Sequence, residues 1–177
     1  MVAHPDVQAL LDPDLIRLNA DERTKQILAA DPTEPNANLR AAEQIDAEVF
    51  SLIEQRVGVL VETVLSSDKY LPAIDRARAL GMRVGVIYVG LRAPELSVAR
   101  VMLRVMEGGH DVPIDRILSR WHRSIAMLGR IAPLVDRLHV FDNTDPTAGP
   151  VLLAINEGDG LRLLQPGRIP AIDAVLR

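Results

Sequence analysis

Two nearly uninterrupted β-branched runs, residues 57–65 (VGVLVETVL) and 83–91 (RVGVIYVGL), constrain this chain more than any other feature. A strand that is apolar on both faces of its pleat needs cover on both sides, which a parallel sheet between helices provides. The segments around the runs read as helices. Residues 39–56 place Ala42, Ile45, Val49, Leu52 and Ile53 on one helical stripe, and residues 69–80 follow a Ser66-Ser67-Asp68 cap and stop at Gly81. Shorter strands are expected at 15–18 and 138–141. Strands alternating with long helices predict an α/β fold, a three-layer parallel sheet with helices on both faces. Residues 151–155 and 161–164, separated by Asn-Glu-Gly-Asp-Gly, predict a small C-terminal hairpin, and a short helix over 170–176 closes the chain. The first 14 residues, broken by Pro5 and Pro13, predict a ragged start with residues 7–11 as the tail of a helix.

The length of 177 residues suits a single domain, 1–177, with residues 151–177 as its terminal hairpin and helix. A net charge of −4 and an aromatic content of 3% argue against a nucleic-acid partner, which would favour a basic surface and stacking rings. With no cysteine there is neither a disulfide framework nor a thiolate metal site. The opening residues show no apolar run after a basic segment, and no stretch approaches a membrane span, so a cytoplasmic protein without membrane contact is expected.

The chemistry concentrates in residues 104–124, RVMEGGHDVPIDRILSRWHRS. A helix over 94–107 runs into Gly108-Gly109, which stop it by offering positive φ at little steric cost. His110 and Asp111 sit in the loop, and Pro113 suits the opening of a second helix. There Arg116, Arg120 and Arg123 share one face, opposite Ile114, Ile117, Leu118, Trp121, Ile125 and Leu128. Two readings of the arginine face compete. With 18 Arg against two Lys, arginine is this chain's default cation and the face is merely solvated; alternatively, the planar forks receive phosphate oxygens. Asp21, just past the strand at 15–18, is likewise open to two roles: an N-cap for the next helix, or a ligand-facing carboxylate at the C-terminal end of a strand. Glu62 closes a buried strand, where a carboxylate needs a partner or a task.

Asn19-Ala20-Asp21, Val61-Glu62-Thr63, Gly108-Gly109-His110-Asp111-Val112-Pro113, the RWHRS segment at 120–124 and Phe141-Asp142-Asn143, in that order, resemble the zeta-toxin-like family of P-loop kinases over residues 15–145. The resemblance implies an ATP- and Mg²⁺-dependent phosphotransferase acting on a hydroxyl of a small molecule, in some members a UDP-activated amino sugar. It also implies an antitoxin protein partner in those members that are toxins. By position, Asp21 matches the family's base toward the substrate hydroxyl, and Glu62 and Thr63 match its pair near substrate and metal. Arg104 and Arg120, with Arg123, match the lid arginines that neutralise the transferring phosphoryl group. His110 lies in the matching substrate-side loop. Asn143 matches a segment near the nucleotide base, although Thr144 stands where serine is usual. Lys69 is read as solvated. No metal ligand is assigned.

One part of the family pattern is absent. The sequence holds no G-x-x-x-x-G-K-[ST], the loop whose amides, lysine and hydroxyl hold phosphates and magnesium, and no glycine precedes Gly58. The first strand of the family, which carries that loop, is missing as well, so the domain is expected to be N-terminally incomplete. Three explanations stand: a start at an internal methionine of a longer protein, a shortened relative that binds without catalysis, or phosphates held by another device. Loss of a central strand would leave neighbouring strand edges unpaired.

Overall fold

The computed structural model describes residues 4–106 and 112–177. The expected stop at Gly108-Gly109 and the loop residue His110 lie outside them. The fold is α/β, and its sheet comes in two pieces. Strands β1 (Ile16–Leu18) and β2 (Val59–Val61) pair in parallel, with Ile16 opposite Val59. Strands β3 (Gly85–Gly90) and β4 (Arg137–Asp142) form a second parallel pair, which β5 (Val151–Asn156) and β6 (Arg162–Leu163) extend in antiparallel fashion. The predicted terminal hairpin therefore exists, but it is the edge of the main sheet and not an appendage. β2 and β3 are not hydrogen-bonded neighbours, and the parallel sheet acquires an antiparallel edge through β5 and β6.

The run at 57–65 yields only the three residues of β2, and these are half-buried where burial on both faces was expected. A strand with one free edge has lost half of its cover. Past Glu62 the chain turns, with the Thr63 Oγ1 accepting the Leu65 N–H at 3.1 Å and Leu65 held at φ 53°. A bulky residue in that left-handed region marks the end of regular structure.

Helices α2 (Ala20–Ala30) and α3 (Ala37–Glu54) connect β1 to β2. The buried stripe of α3 is Ala37, Ala41, Ile45, Val49 and Ile53, spaced by four, so Ala42 and Leu52 flank it. Its Ile45, Val49 and Ile53 pack with Leu18 and with Ala73 and Ala77 of α4 (Leu71–Ala79) in one core. The predicted Ser-Ser-Asp cap of α4 is not used. The helix starts after Tyr70 without a side-chain cap bond, and Pro72 in its first turn removes one of the donors a cap would serve. The second core joins Tyr88, Leu138, Val140 and Leu153 of the sheet to α6 (Ile114–Ile131) and α7 (Pro170–Leu176). Val84, at the entry to β3, packs against both cores.

The opposite face of β3–β5 carries His139, Phe141, Leu152 and Ile155. There α1 (Pro5–Gln8) lies over a cleft of about 460 Å³ that Asp6 and Leu10 also line. Helix α5 (Pro94–Met106) buries none of its residues and packs along α6. The predicted apolar face of α6 holds for Ile117, Ile125 and Leu128, whereas Ile114 is 55% exposed. The buried residues of α6 begin at Ile117, and its first three residues are exposed.

The expected end of α4 and the end of α3 both close as Schellman motifs. After α4, Gly81 at φ 73° donates to Arg78 C=O, and Met82 donates to Ala77 C=O. After α3 the same pattern, Arg56 N–H to Ile53 C=O and Val57 N–H to Leu52 C=O, forces Arg56 to φ 56°. Arg56 is exposed, so Arg56→Gly should relieve this strain and raise unfolding stability by about 1 kcal/mol. Chemical denaturation of the two proteins checks it: an unchanged or lower midpoint would count against the left-handed assignment.

Candidate functional site

Strands β1 and β2 run in parallel, so their C-terminal ends deliver Asn19 and Glu62 side by side. Asn19 uses both ends of its amide. Its Oδ1 accepts the N–H groups of Asp21 (2.8 Å) and Glu22 (3.2 Å), capping α2, and its Nδ2 donates to the Glu62 carboxylate. The cap is therefore Asn19 and not Asp21, which settles the first of the two roles open to that aspartate. Asp21 is instead an exposed carboxylate in the first turn of α2, where the helix dipole favours negative charge. Glu62 has a partner, as a carboxylate closing a strand requires. The depression between these residues, bounded by Arg17, Leu18, Asn19, Glu22, Leu60 and Glu62, is small, about 60 Å³.

The bridge makes a separable prediction. Asn19→Asp keeps an acceptor for the cap but sets a carboxylate against Glu62, while Asn19→Ala removes cap and donor together. Asn19→Ala should cost about 0.5–2 kcal/mol. Asn19→Asp, which keeps the cap and loses the donor, should destabilise by setting two carboxylates together. Thermal melts of both variants check the pair, and an Asn19→Asp protein as stable as the native one would count against the Glu62 contact.

Of the remaining predicted residues, Thr63 is exposed and its hydroxyl serves the turn to Leu65. Arg104 lies exposed on α5; on α6, Arg116 and Arg123 are exposed and Arg120 is half-buried. Among the described residues none of these four ion-pairs with a carboxylate. Lys69 is not simply solvated: its Nζ lies 2.9 Å from Asp46 of α3 and over the Tyr70 ring. The ammonium therefore ties α4's entry to α3.

At the ends of β3 and β4 a second polar group gathers, which local sequence gave little reason to expect. The Asp142 side chain is fully buried, accepts the Thr144 N–H at 2.9 Å and meets Arg168 Nε at 3.0 Å. Burial pushes its carboxyl up, but hydrogen bonds from Thr144 and Arg168 outweigh that and hold it below the ordinary value. Asn143 is half-buried; its N–H donates to Gly90 C=O at 2.9 Å and its own C=O accepts from Arg100. The Thr144 Oγ1 accepts the Arg92 N–H at 2.9 Å. Asn19 was within reach of sequence reasoning, as an Asx residue between a strand and a helix. Arg168, 26 residues from Asp142, was not.

The described residues do not fit nucleotide phosphates. A phosphate nest needs free amides aimed outward. The glycine turn at 156–160 points the Gly158 and Gly160 N–H groups at Asn156 Oδ1, and the Gly167 N–H is taken by Asp173 at 2.5 Å. Nor do the described residues place three or more His, Asp or Glu side chains to hold a metal ion. No described helix is long and apolar enough to cross a membrane.

No family model matches the chain. An uncharacterized protein of Haemophilus influenzae is 24% identical over 115 residues, 65% of this chain and 76% of that protein. A solved structure from the PezAT chromosomal toxin–antitoxin system of Streptococcus pneumoniae superposes with a TM-score of 0.60 at 14% identity, covering 99% of this chain and 70% of its own. By that superposition the chain shares the α/β fold of the PezAT structure, the fold that the resemblance implied.

Proposed function

We propose that residues 1–177 form the acceptor-side part of a small-molecule kinase. In this reading the phosphate-binding strand and loop come from sequence outside these residues, and the acceptor is a hydroxyl of a compound such as a UDP-activated amino sugar. The observation that carries the reading is the Asn19 bridge, which sets Asp21 and Glu62 at one end of the sheet. Asp21 takes the proton of the attacking hydroxyl, and Glu62 and Thr63 orient the acceptor. Arg104 and Arg120, with Arg123 and the loop residue His110, neutralise charge on the transferring group, and Asn143 lies toward the nucleotide base. The exposed guanidinium groups of Arg104 and Arg123 and the half-buried one of Arg120, which ion-pair with no carboxylate among the described residues, support this, since phosphoryl transfer asks a protein mainly for positioning and charge stabilisation. ATP would supply the phosphoryl group and Mg²⁺ would screen it. In this reading residues 1–177 bind and orient the acceptor.

The test is an N-terminally extended form given ATP, Mg²⁺ and a UDP-amino sugar. A product carrying one added phosphoryl group supports the reading; ATP hydrolysis without a phosphorylated product across a panel of small-molecule hydroxyl compounds would defeat it. The protein partner of the PezAT system motivates one further arm, co-purification with a small acidic protein from the source organism.

The lack of a phosphate nest among the described residues favours a second reading, a non-catalytic relative whose arginine face holds a phosphorylated ligand or an acidic partner protein. Calorimetry of the 177-residue chain with inorganic phosphate tests this reading, and no heat of binding would remove it.

A further inference from the structure

Helix α5 buries none of its residues, so apolar packing alone holds it weakly, and yet with α6 it carries Arg104, Arg120 and Arg123. Two side chains reach from this helical pair to backbone carbonyls of the sheet. The Arg100 guanidinium on α5 donates to Asn143 C=O, and the Trp121 indole N–H on α6 donates to Leu91 C=O at 3.0 Å. One turn further along α6, the Ser124 hydroxyl meets the Tyr88 hydroxyl at 3.2 Å.

The two carbonyls are neighbours. Gly90 pairs with Asp142 at the last step of the β3–β4 ladder, so Leu91 and Asn143 follow side by side at the C-terminal ends of the strands. Both residues are half-buried, and a carbonyl past the last ladder bond needs a donor from elsewhere. The seat beneath them is cross-braced. Asn143 N–H donates to Gly90 C=O, Thr144 Oγ1 accepts the Arg92 N–H, and buried Asp142 accepts from Thr144 and Arg168. On α5, Arg100 precedes Arg104 by one helical turn on the same face; on α6, Trp121 adjoins Arg120. A guanidinium suits the contact, because it stays charged at any working pH and offers its donors in a planar fork.

We propose that Arg100 and Trp121 are positioning residues that pin α5 and α6 to the ends of β3 and β4, and so hold Arg104 and Arg120 at a fixed distance from Asn143. Both act through backbone carbonyls, and neither is assigned contact with a ligand. What the held arginines meet, a transferring phosphoryl group, rests on the kinase reading above. The pinning itself is a property of the 177-residue chain and is testable without activity.

The chain has no cysteine, so Met102→Cys on the exposed side of α5 and Ala148→Cys in the exposed turn after β4 accept a pair of nitroxide labels at those two sites alone. Double electron–electron resonance then reads the distance from α5 to the strand-end segment. In the labelled parent the distribution should be narrow. Arg100→Met and Trp121→Phe should each widen it by at least about twofold, whereas Arg100→Lys, which still offers Asn143 a charged donor, should stay near the parent. A contact that only stabilises would lower the melting temperature and leave the distance distribution below the melt unchanged. The parent's width in either single variant strikes that residue from the proposal, and the parent's width in both overturns it. Equal widening in Arg100→Lys and Arg100→Met would overturn the role of the Arg100 donor. In an N-terminally extended form given ATP and acceptor, Arg100→Met should lower kcat by about 10–100-fold with acceptor KM little changed. An unchanged kcat beside a widened distance would overturn the functional half of the proposal. Absence of transfer in the parent would instead count against the kinase reading and leave the distance result standing.

Discussion

Asp21→Asn, in a form that includes a phosphate-binding loop, is expected to lower phosphoryl transfer by about 10²–10⁴-fold while leaving the fold and acceptor affinity nearly intact. The substitution keeps the side chain's size and only removes the carboxylate's ability to take a proton. Asp21 is exposed, and the cap of α2 belongs to Asn19, so no structural hydrogen bond of that cap is lost. The only foreseeable stability cost is the favourable placement of negative charge in a first helical turn, about 0.3–1 kcal/mol. Steady-state kinetics should therefore show kcat falling with KM little changed, and the melting temperature moving by a few degrees at most. Full activity in this variant would end the assignment of Asp21 as base. A collapse of stability instead would mean that the side chain is part of the framework.

The largest stability effect outside the apolar cores is expected at Asp142. Its side chain is fully buried and holds Thr144 and Arg168, so Asp142→Ala strips acceptors from both and should cost about 2–4 kcal/mol. The figure sits below that for a fully enclosed pair because the Arg168 side chain is 41% exposed and can return to water. Asp142→Asn isolates the charge. Since the folded carboxyl lies below its ordinary value of 3.8, its contribution is complete above that pH and is lost as pH falls through the lower folded value. The gap in unfolding free energy between the native protein and Asp142→Asn should accordingly be widest above pH 4 and narrow on acidification. A gap that does not vary with pH would show that Arg168 and Thr144 do not act on a charged group.

The same carboxylate ties the end of β4 to the turn before α7, since Arg168 lies there. Asn143 and Thr144 follow directly, so the segment that resembles the family's nucleotide-base region is held by Asp142 from beneath. Loss of Asp142 should therefore loosen Asn143 as well as lower stability.

What the amino-acid order alone determined is what short-range periodicity carries. The β-branched runs and the four-residue stripe of α3 announced an α/β fold, Gly81 announced the end of α4, and Asn-Glu-Gly-Asp-Gly announced the β5–β6 turn. The missing phosphate loop was equally plain, because such a loop is a contiguous string. Tertiary structure alone decided the rest. An apolar run at 57–65 cannot reveal whether a neighbour lies on each side, so the shortness of β2 and the division beside it came only with the strand pairing. Ile114 has the right phase for burial on α6, yet it is exposed while Ile117, three residues on, is buried. Lys69 with Asp46, Asn19 with Glu62 and Asp142 with Arg168 are separated by 23, 43 and 26 residues. Pairings at that distance leave no periodic trace in the chain, because they depend on where whole elements come to rest and not on which residues adjoin.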